Sequence, residues 1–177
     1  MTINSADNFQ VKNFFQKALK FDIDCFCNSL EKNDINTSFM HFFHFLEDLF
    51  ALREKLGIDS KYSKDKFGIL HQFYNSIKHN RMTIDIFKIY EPEYAISFPI
   101  EFDNNCGFNL QNCYLTDIQS LKISSVKNKK HPEKNISVEE FYQIFNKELK
   151  NKPVTEIMNN ILKETYDNTQ IKEKKNG

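Results

Sequence analysis

Three polar side chains recur at spacings of four residues in the middle of the chain: His71, Asn75 and His79. On a helix these positions form one polar ridge beside an apolar face, and Lys78 adds a cation to it. An imidazole titrates near neutral pH and can transfer protons, while a neighbouring amide can orient it. The ridge is a candidate acid–base site, and a boundary face of hydrogen-bonded histidines is the alternative. The two histidines lie about 12 Å apart along such a helix, too far to share one metal ion.

Arg53 is a second candidate because of its place in an apolar pattern. Only two of the 24 basic residues are arginines, Arg53 and Arg81. On a helical wheel Arg53 falls within the apolar stripe of its helix, where an unpaired charge is strongly unfavourable. Two interpretations stay open. Either the aliphatic stem packs on the core and the head reaches solvent or pairs with Asp22, Asp24 or Glu54, or Arg53 lines a polar site between helices.

Five helices are expected to position these residues. Apolar residues at intervals of three and four predict helices over 8–31, 37–56 and 63–80, one that begins after Ser137, and a last one over about 154–166. Asn36 or Thr37 is expected to cap the second helix, and Gly57 is expected to end it. Ser137 and Glu140 together form a capping box. The short connection between the second and third helices predicts that they are antiparallel neighbours.

The hydrophobic period changes between the third and fourth helices. Alternating residues predict strands over 82–90 and 94–102, joined by a turn at 91–93, and a third strand within 118–126. Asparagines and a glycine predict a loop over 103–113. The predicted fold class is therefore mainly α, an antiparallel bundle of four to five helices with an inserted β-hairpin or small antiparallel sheet at about 82–126. Residues 1–167 are expected to form a single domain, followed by a disordered tail over 168–177.

Composition excludes several classes of protein. The 177 residues carry 24 basic and 24 acidic side chains, so no overall charge attracts the chain to nucleic acid or to an anionic membrane. The longest uncharged stretch, over 35–46, is shorter than the roughly 20 apolar residues of a membrane span. Four glycines are too few for a dinucleotide or Walker phosphate loop, and four cysteines are too few for a disulfide scaffold. We therefore expect a cytoplasmic protein with no membrane partner, no metal ion and no cofactor.

Two helical runs resemble a known family. The second-helix run FLEDLFALREKL and the third-helix run LHQFYNSIKHNR are similar to the HEPN superfamily, small helical domains of prokaryotic toxins and antiphage systems, many of them ribonucleases. The family signature is an arginine, four to six further residues and a histidine, often with an asparagine directly after the arginine. Asn75 and His79 stand at that spacing, but Tyr74 occupies the arginine position. A phenol lacks the permanent charge that arginine offers to a scissile phosphate, so another cation would have to supply it.

The resemblance implies metal-independent cleavage of RNA. His79 would act as general base or acid on the ribose 2′-hydroxyl, Asn75 would orient it, and Lys78 or Arg53 would offset charge on the phosphate. Candidate RNA contacts are Arg81 and the basic stretch 122–134, which includes Lys127, Lys129 and Lys130. A solvated loop is the alternative interpretation of that stretch.

The resemblance also implies a homodimer and a role in a prokaryotic conflict, toxin–antitoxin or antiphage system, with RNA or an antitoxin protein as partner. The residues themselves leave a second function open, a noncatalytic helical module that binds another protein through the same groove or through the hairpin. A third interpretation is a small-molecule sensor whose pocket is lined by phenylalanines between the second and third helices.

Overall fold

The computed structural model describes residues 5–32, 34–80, 87–89, 113–115 and 125–173 of the chain. Helices account for most of these residues, so the predicted mainly helical fold class is confirmed. In chain order the elements are α1 (Ser5–Glu31), α2 (Ile35–Lys55), a 3-10 helix (Ser60–Tyr62), α3 (Lys66–Asn80), β1 (Phe87–Ile89), β2 (Cys113–Leu115), a second 3-10 helix (Pro132–Lys134), α4 (Val138–Glu148) and α5 (Val154–Glu173). Within the described ranges, no helix combines the length and the apolar character that crossing a bilayer would require.

A core of aromatic and aliphatic side chains joins the helices. α1 packs along α2 and also against α5, while α3 packs against both α2 and α4. The largest fully buried side chains are phenylalanines from four of these helices: Phe26, Phe42, Phe45, Phe73, Phe141 and Phe145. Burying one such ring contributes about 1.5–3 kcal/mol, more than an exposed ion pair does. Hydrophobic packing therefore fixes how the helices lie, and with them the side chains on their surfaces.

Short-range hydrogen bonds set the two ends of α2. Asp34 caps the first turn, where its Oδ1 accepts a hydrogen bond from the backbone N–H of Thr37 at 3.0 Å. The predicted caps, Asn36 and Thr37, are therefore wrong, because both lie inside the first turn and Thr37 supplies the donor. Gly57 follows the helix with a φ of 70°, as its predicted terminating role requires. The N–H groups of Gly57 and Ile58 donate hydrogen bonds to the carbonyls of Glu54 and Arg53, which is the pattern of a Schellman motif.

α3 begins later than the predicted residue 63. The 3-10 helix Ser60–Tyr62 comes first, and α3 starts where the carboxylate of Asp65 accepts a hydrogen bond from the N–H of Phe67 at 2.9 Å. Gly68 lies so close to the preceding segment that a Cβ at this position would overlap the carbonyl oxygen of Ser63. The missing side chain thus lets the 60–65 segment fold tightly over the start of α3.

The capping box predicted for α4 is confirmed. Ser137 Oγ accepts the N–H of Glu140 at 3.1 Å, and Glu140 Oε2 accepts the N–H of Ser137 at 2.8 Å. α5 begins at Val154, as predicted, but it continues to Glu173. The helix therefore runs past its predicted end at 166 and through the expected domain boundary at 167.

Two short strands form the described part of the β annex. β1 pairs with β2 in antiparallel register, with Ile89 opposite Cys113. The prediction of a loop over 103–113 is wrong at Cys113, which lies in β2. The strand forms here because Cys113 and Leu115 are buried and Tyr114 makes an isolated bridge to Pro153, beside the start of α5.

The rest of the predicted annex lies largely outside the described residues. This holds for the strand over 94–102, the turn at 91–93 and most of the strand within 118–126. Val126, the last residue of that third strand, forms an isolated antiparallel bridge with Ile136. The predicted pairing of 82–90 with 94–102 therefore stays a prediction, while the observed partner of β1 is β2.

Candidate functional site

An open cleft of about 670 Å³ lies between the second half of α2, the loop over 57–61 and α3. Its charged and nitrogen-bearing lining consists of three carboxylates, two ammonium groups, an imidazole and an amide: Glu47, Glu54, Asp59, Lys61, Lys78, His71 and Asn75. Phe50 and Tyr74 form an aromatic part of the cleft wall. Ligand pockets typically measure about 300–1,000 Å³, so this cleft can hold a group of nucleotide size.

His71 is the titratable group that the cleft perturbs most clearly. The imidazole is half-buried, and its ring meets Phe50 edge to face at 5.1 Å between centroids. Burial lowers the pKa of His71, and the charge of Lys61 lowers it further, while the carboxylate of Asp59 acts in the opposite direction. The ring is therefore held in its neutral form at physiological pH, the form that can accept a proton.

Asn75 pairs with His71 on the ridge that the sequence predicted. Asn75 Nδ2 lies 3.1 Å from Nδ1 of His71, and both side chains line the cleft. His79, two turns after His71, is exposed and is not part of the cleft lining. The structure thus brings Asn75 together with the first histidine of the ridge and leaves the second on the outer surface.

Tyr74, at the position of the family's arginine, belongs to an aromatic stack. Its ring lies 5.6 Å from that of Phe43 and 5.5 Å from that of Phe50, measured between centroids. Lys78 Nζ lies 5.5 Å from the centroid of the Tyr74 ring, within the range of a cation–π contact. A positive charge is therefore present over the phenol, although the phenol itself carries none.

Arg53 lies beside the cleft without lining it. Its guanidinium stacks at 3.8 Å over the ring of Phe67, and Nε donates a hydrogen bond to Ser60 Oγ at 2.5 Å. Burial lowers the pKa of Arg53, an effect opposed by the carboxylates of Asp65 and Glu164. The predicted pairing with Asp22, Asp24 or Glu54 is thus wrong, because the side chain crosses from α2 to the segment before α3. Through this hydrogen bond Arg53 connects α2 to Ser60, a residue of the cleft lining.

The predicted RNA contacts lie elsewhere on the molecule. Lys127, Lys129 and Lys130 are exposed in the turn that follows the Val126–Ile136 bridge. Asn128 Oδ1 shapes this turn by accepting hydrogen bonds from the N–H groups of Lys130 and His131, both at 3.0 Å. None of these lysines lines the cleft, and Arg81 lies outside the described residues.

A second cluster of titratable groups spans α1 and α2. Asp22 is buried, and its Oδ1 lies 3.1 Å from Nδ1 of the half-buried His41, while His44 follows one turn later and is exposed. Burial raises the pKa of Asp22. The hydrogen bond from His41 and the charges of His41 and His44 act in the opposite direction and offset part of this rise. This cluster is not apparent from the sequence, because Asp22 lies on a different helix from His41 and His44. The signal that could have found it is the pair His41 and His44, spaced three apart within an apolar run.

Comparisons with known proteins add no assignment to this geometry. No family model, no curated protein and no solved structure shows a significant match to the chain. The resemblance to HEPN proteins therefore stays a prediction that rests on the two helical runs.

Proposed function

We propose that this chain is a HEPN-like helical protein of a prokaryotic conflict, toxin–antitoxin or antiphage system, and that it cleaves RNA without a metal ion in the cleft between α2 and α3. The observation that supports this most is the placement of His71, a half-buried imidazole with a lowered pKa, joined to Asn75 in an open cleft. A neutral imidazole can take a proton from a ribose hydroxyl at physiological pH, whereas a protonated one cannot.

The chemical step uses groups that line the cleft. His71 takes the proton of the 2′-hydroxyl through Nδ1, the nitrogen that accepts a hydrogen bond from Nδ2 of Asn75, so the hydroxyl replaces the amide as the donor to this nitrogen. The 2′ oxygen attacks the adjacent phosphorus, and the 5′ oxygen leaves with a proton from the imidazolium or from water. The products are a 2′,3′-cyclic phosphate and a 5′-hydroxyl. Lys78 offsets the charge that gathers on the phosphate oxygens.

His79 is the competing candidate for the base. The resemblance assigns that role to His79, and the assignment stays a prediction. We favour His71 because it shares a hydrogen bond with Asn75 and lines the cleft, while His79 does neither. Substituting each histidine separately distinguishes the two assignments.

Binding of RNA must draw on more than the cleft. Three carboxylates and two ammonium groups in the lining leave it without a net positive charge. The aromatic wall of Phe50 and Tyr74 supplies a surface on which a base can stack, and such stacking contributes about 1–3 kcal/mol per base. The exposed lysines over 127–130 would supply phosphate contacts outside the cleft, and their contribution should fall as salt concentration rises.

The test is cleavage of total RNA by purified protein in the presence of a chelator. We expect cyclic phosphate ends, and we expect His71→Ala to slow cleavage by about 10²–10⁴-fold, the usual contribution of a positioned base. His44→Ala is the matched control, since His44 is an exposed histidine outside the cleft. RNA that stays intact at high protein concentration would eliminate the proposal. Loss of cleavage in His79→Ala alone would instead favour the assignment from the resemblance.

One surface favours a second function, a noncatalytic module that binds protein. The side chains of Phe14 and Phe21 are 66% and 63% exposed. Seven residues apart on α1, they lie on the same side of the helix. A second copy of the chain would cover these rings, and because the resemblance implies a homodimer for the ribonuclease as well, dimerisation without RNA cleavage is the result that favours the noncatalytic module. A Phe14→Ser, Phe21→Ser double variant should then be monomeric under conditions in which the unmodified chain is dimeric, as measured by light scattering after size exclusion.

A further inference from the structure

We propose that Asp22, His41 and His44 form a binding site for a divalent transition-metal ion, with Zn²⁺ as the best fit. The site lies between α1 and α2 and shares no residue with the cleft. It is independent of the ribonuclease proposal, whose chemistry uses no metal.

The donor atoms are close enough to share one ion. One donor from each of the three residues lies within 4.8 Å of the other two, and Asp22 Oδ1 and His41 Nδ1 are 3.1 Å apart. A tetrahedral ion with ligand distances of about 2.0 Å separates adjacent donors by about 3.3 Å. One pair is therefore already at ligand spacing, and a rotamer change of the exposed His44 brings in the third donor.

The donor types fit zinc and related ions. Imidazole nitrogen and carboxylate oxygen are standard zinc ligands, and three protein ligands leave the fourth position to water. The hard ions Ca²⁺ and Mg²⁺ prefer oxygen donors in larger numbers, so two imidazoles disfavour them. Asp48, four residues after His44, lies close enough to interact electrostatically with both Asp22 and His44. A second carboxylate beside the site adds attraction for a cation.

Burial makes the site more than a chance cluster. Asp22 is 5% exposed, and among the described residues His41 is the one hydrogen-bond partner of its carboxylate. A buried carboxylate must either take up a proton or lie beside a positive charge, and a divalent ion supplies that charge. In the described structure His44 makes ring contacts with His41 and Phe43 and no hydrogen bond, so its nitrogens are available to an ion.

The experiment adds Zn²⁺, and separately Co²⁺, to the full chain after removal of metal with a chelator. Calorimetry with Zn²⁺ should give one ion per chain. His44→Ala removes a ligand from an exposed position, so the fold should persist by circular dichroism. Loss of outer-shell groups already weakens metal binding by about 10–100-fold, so this variant should bind Zn²⁺ at least about tenfold more weakly.

Controls separate this site from other metal ligands in the chain. His131→Ala should bind Zn²⁺ as the unmodified chain does. Cys25, three residues after Asp22 on α1, is a competing ligand. The Co²⁺ complex should show the visible bands of nitrogen and oxygen ligands and no thiolate charge-transfer band, and the absence of that band excludes Cys25 as a ligand. Absence of a bound ion, unchanged affinity in His44→Ala, or a thiolate band would each overturn the proposal.

Discussion

Gly68→Ala is a test in which helix propensity and the structure predict opposite results. Gly68 lies in the first turn of α3, where alanine is intrinsically better than glycine by about 1 kcal/mol. A Cβ at this position would overlap the carbonyl oxygen of Ser63, which belongs to backbone held by a hydrogen bond from the Ser63 N–H to the Ser60 carbonyl at 3.2 Å. Overpacking of this kind costs about 1–3 kcal/mol and must displace the segment.

We therefore expect Gly68→Ala to lower the free energy of unfolding by up to about 2 kcal/mol, since a gain in propensity of about 1 kcal/mol offsets part of an overpacking cost of about 1–3 kcal/mol. Urea denaturation followed by circular dichroism measures it, and Tm should fall by about 2–4 °C for each kcal/mol in a chain of this size. Asn146→Ala is the matched control, because Asn146 is exposed within α4 and alanine there gains propensity without a clash. If Gly68→Ala stabilises the protein as Asn146→Ala does, the tight packing of the 60–65 segment on α3 is refuted.

Three further predictions concern His71, Cys113 and Ser137. Folding lowers the pKa of His71 from its ordinary value of about 6.5. When the pH falls below about 6.5, the unfolded chain therefore binds a proton at this residue more readily than the folded chain does, and the free energy of unfolding decreases. His71→Gln should lose less stability than the unmodified chain between neutral and acidic pH in urea titrations, and equal losses would contradict the burial of the imidazole. Burial raises the pKa of Cys113 to about 12, so a thiol reagent near pH 8 should modify Cys113 more slowly than the half-buried Cys25. Mass spectrometry of the labelled protein measures the two rates, and equal rates would contradict the buried position of Cys113 in β2. Ser137→Ala removes the acceptor for the N–H of Glu140 and should destabilise the protein by about 0.5–2 kcal/mol in denaturation experiments, whereas no change would mean that the capping box contributes nothing.

The helices were predictable because each buries one continuous apolar stripe. Periodicity in the sequence places α2 within two residues of its observed ends, and Gly57 ends it as expected. The cap was not predictable from composition, since Asp34, Asn36 and Thr37 all have capping side chains within four positions. Asp34 becomes the cap because the backbone leaves the helical conformation at that residue.

The candidate site was predictable in part. The ridge on α3 is visible in the sequence, but which of its histidines faces the cleft depends on the loop over 57–61, which forms one wall of the cleft opposite α3. Arg53 stood out as an arginine in an apolar stripe, but its partners Ser60 and Phe67 come from the 3-10 helix and α3, whose packing the pattern does not describe.

The cluster of Asp22 with His41 and His44 could not be found by spacing. Its members lie on two helices, and 19 residues separate the hydrogen-bonded pair. Contacts of this kind arise from packing of α1 on α2, which depends on buried phenylalanines and not on the polar residues themselves. β2 was missed for the same reason, since burial of Cys113 and Leu115 decides its conformation.

The proposed ribonuclease requires that RNA contacts His71 in the cleft, and a nuclear magnetic resonance titration of the histidine rings measures this contact. A short RNA with 2′-deoxyribose at the cleavage site can bind but cannot be cleaved. The ring signals of His71 should shift as this RNA is added, while those of His44, which is exposed and does not line the cleft, stay unchanged. Shifts confined to His79, or to His131 beside the lysine turn, would contradict cleavage at His71.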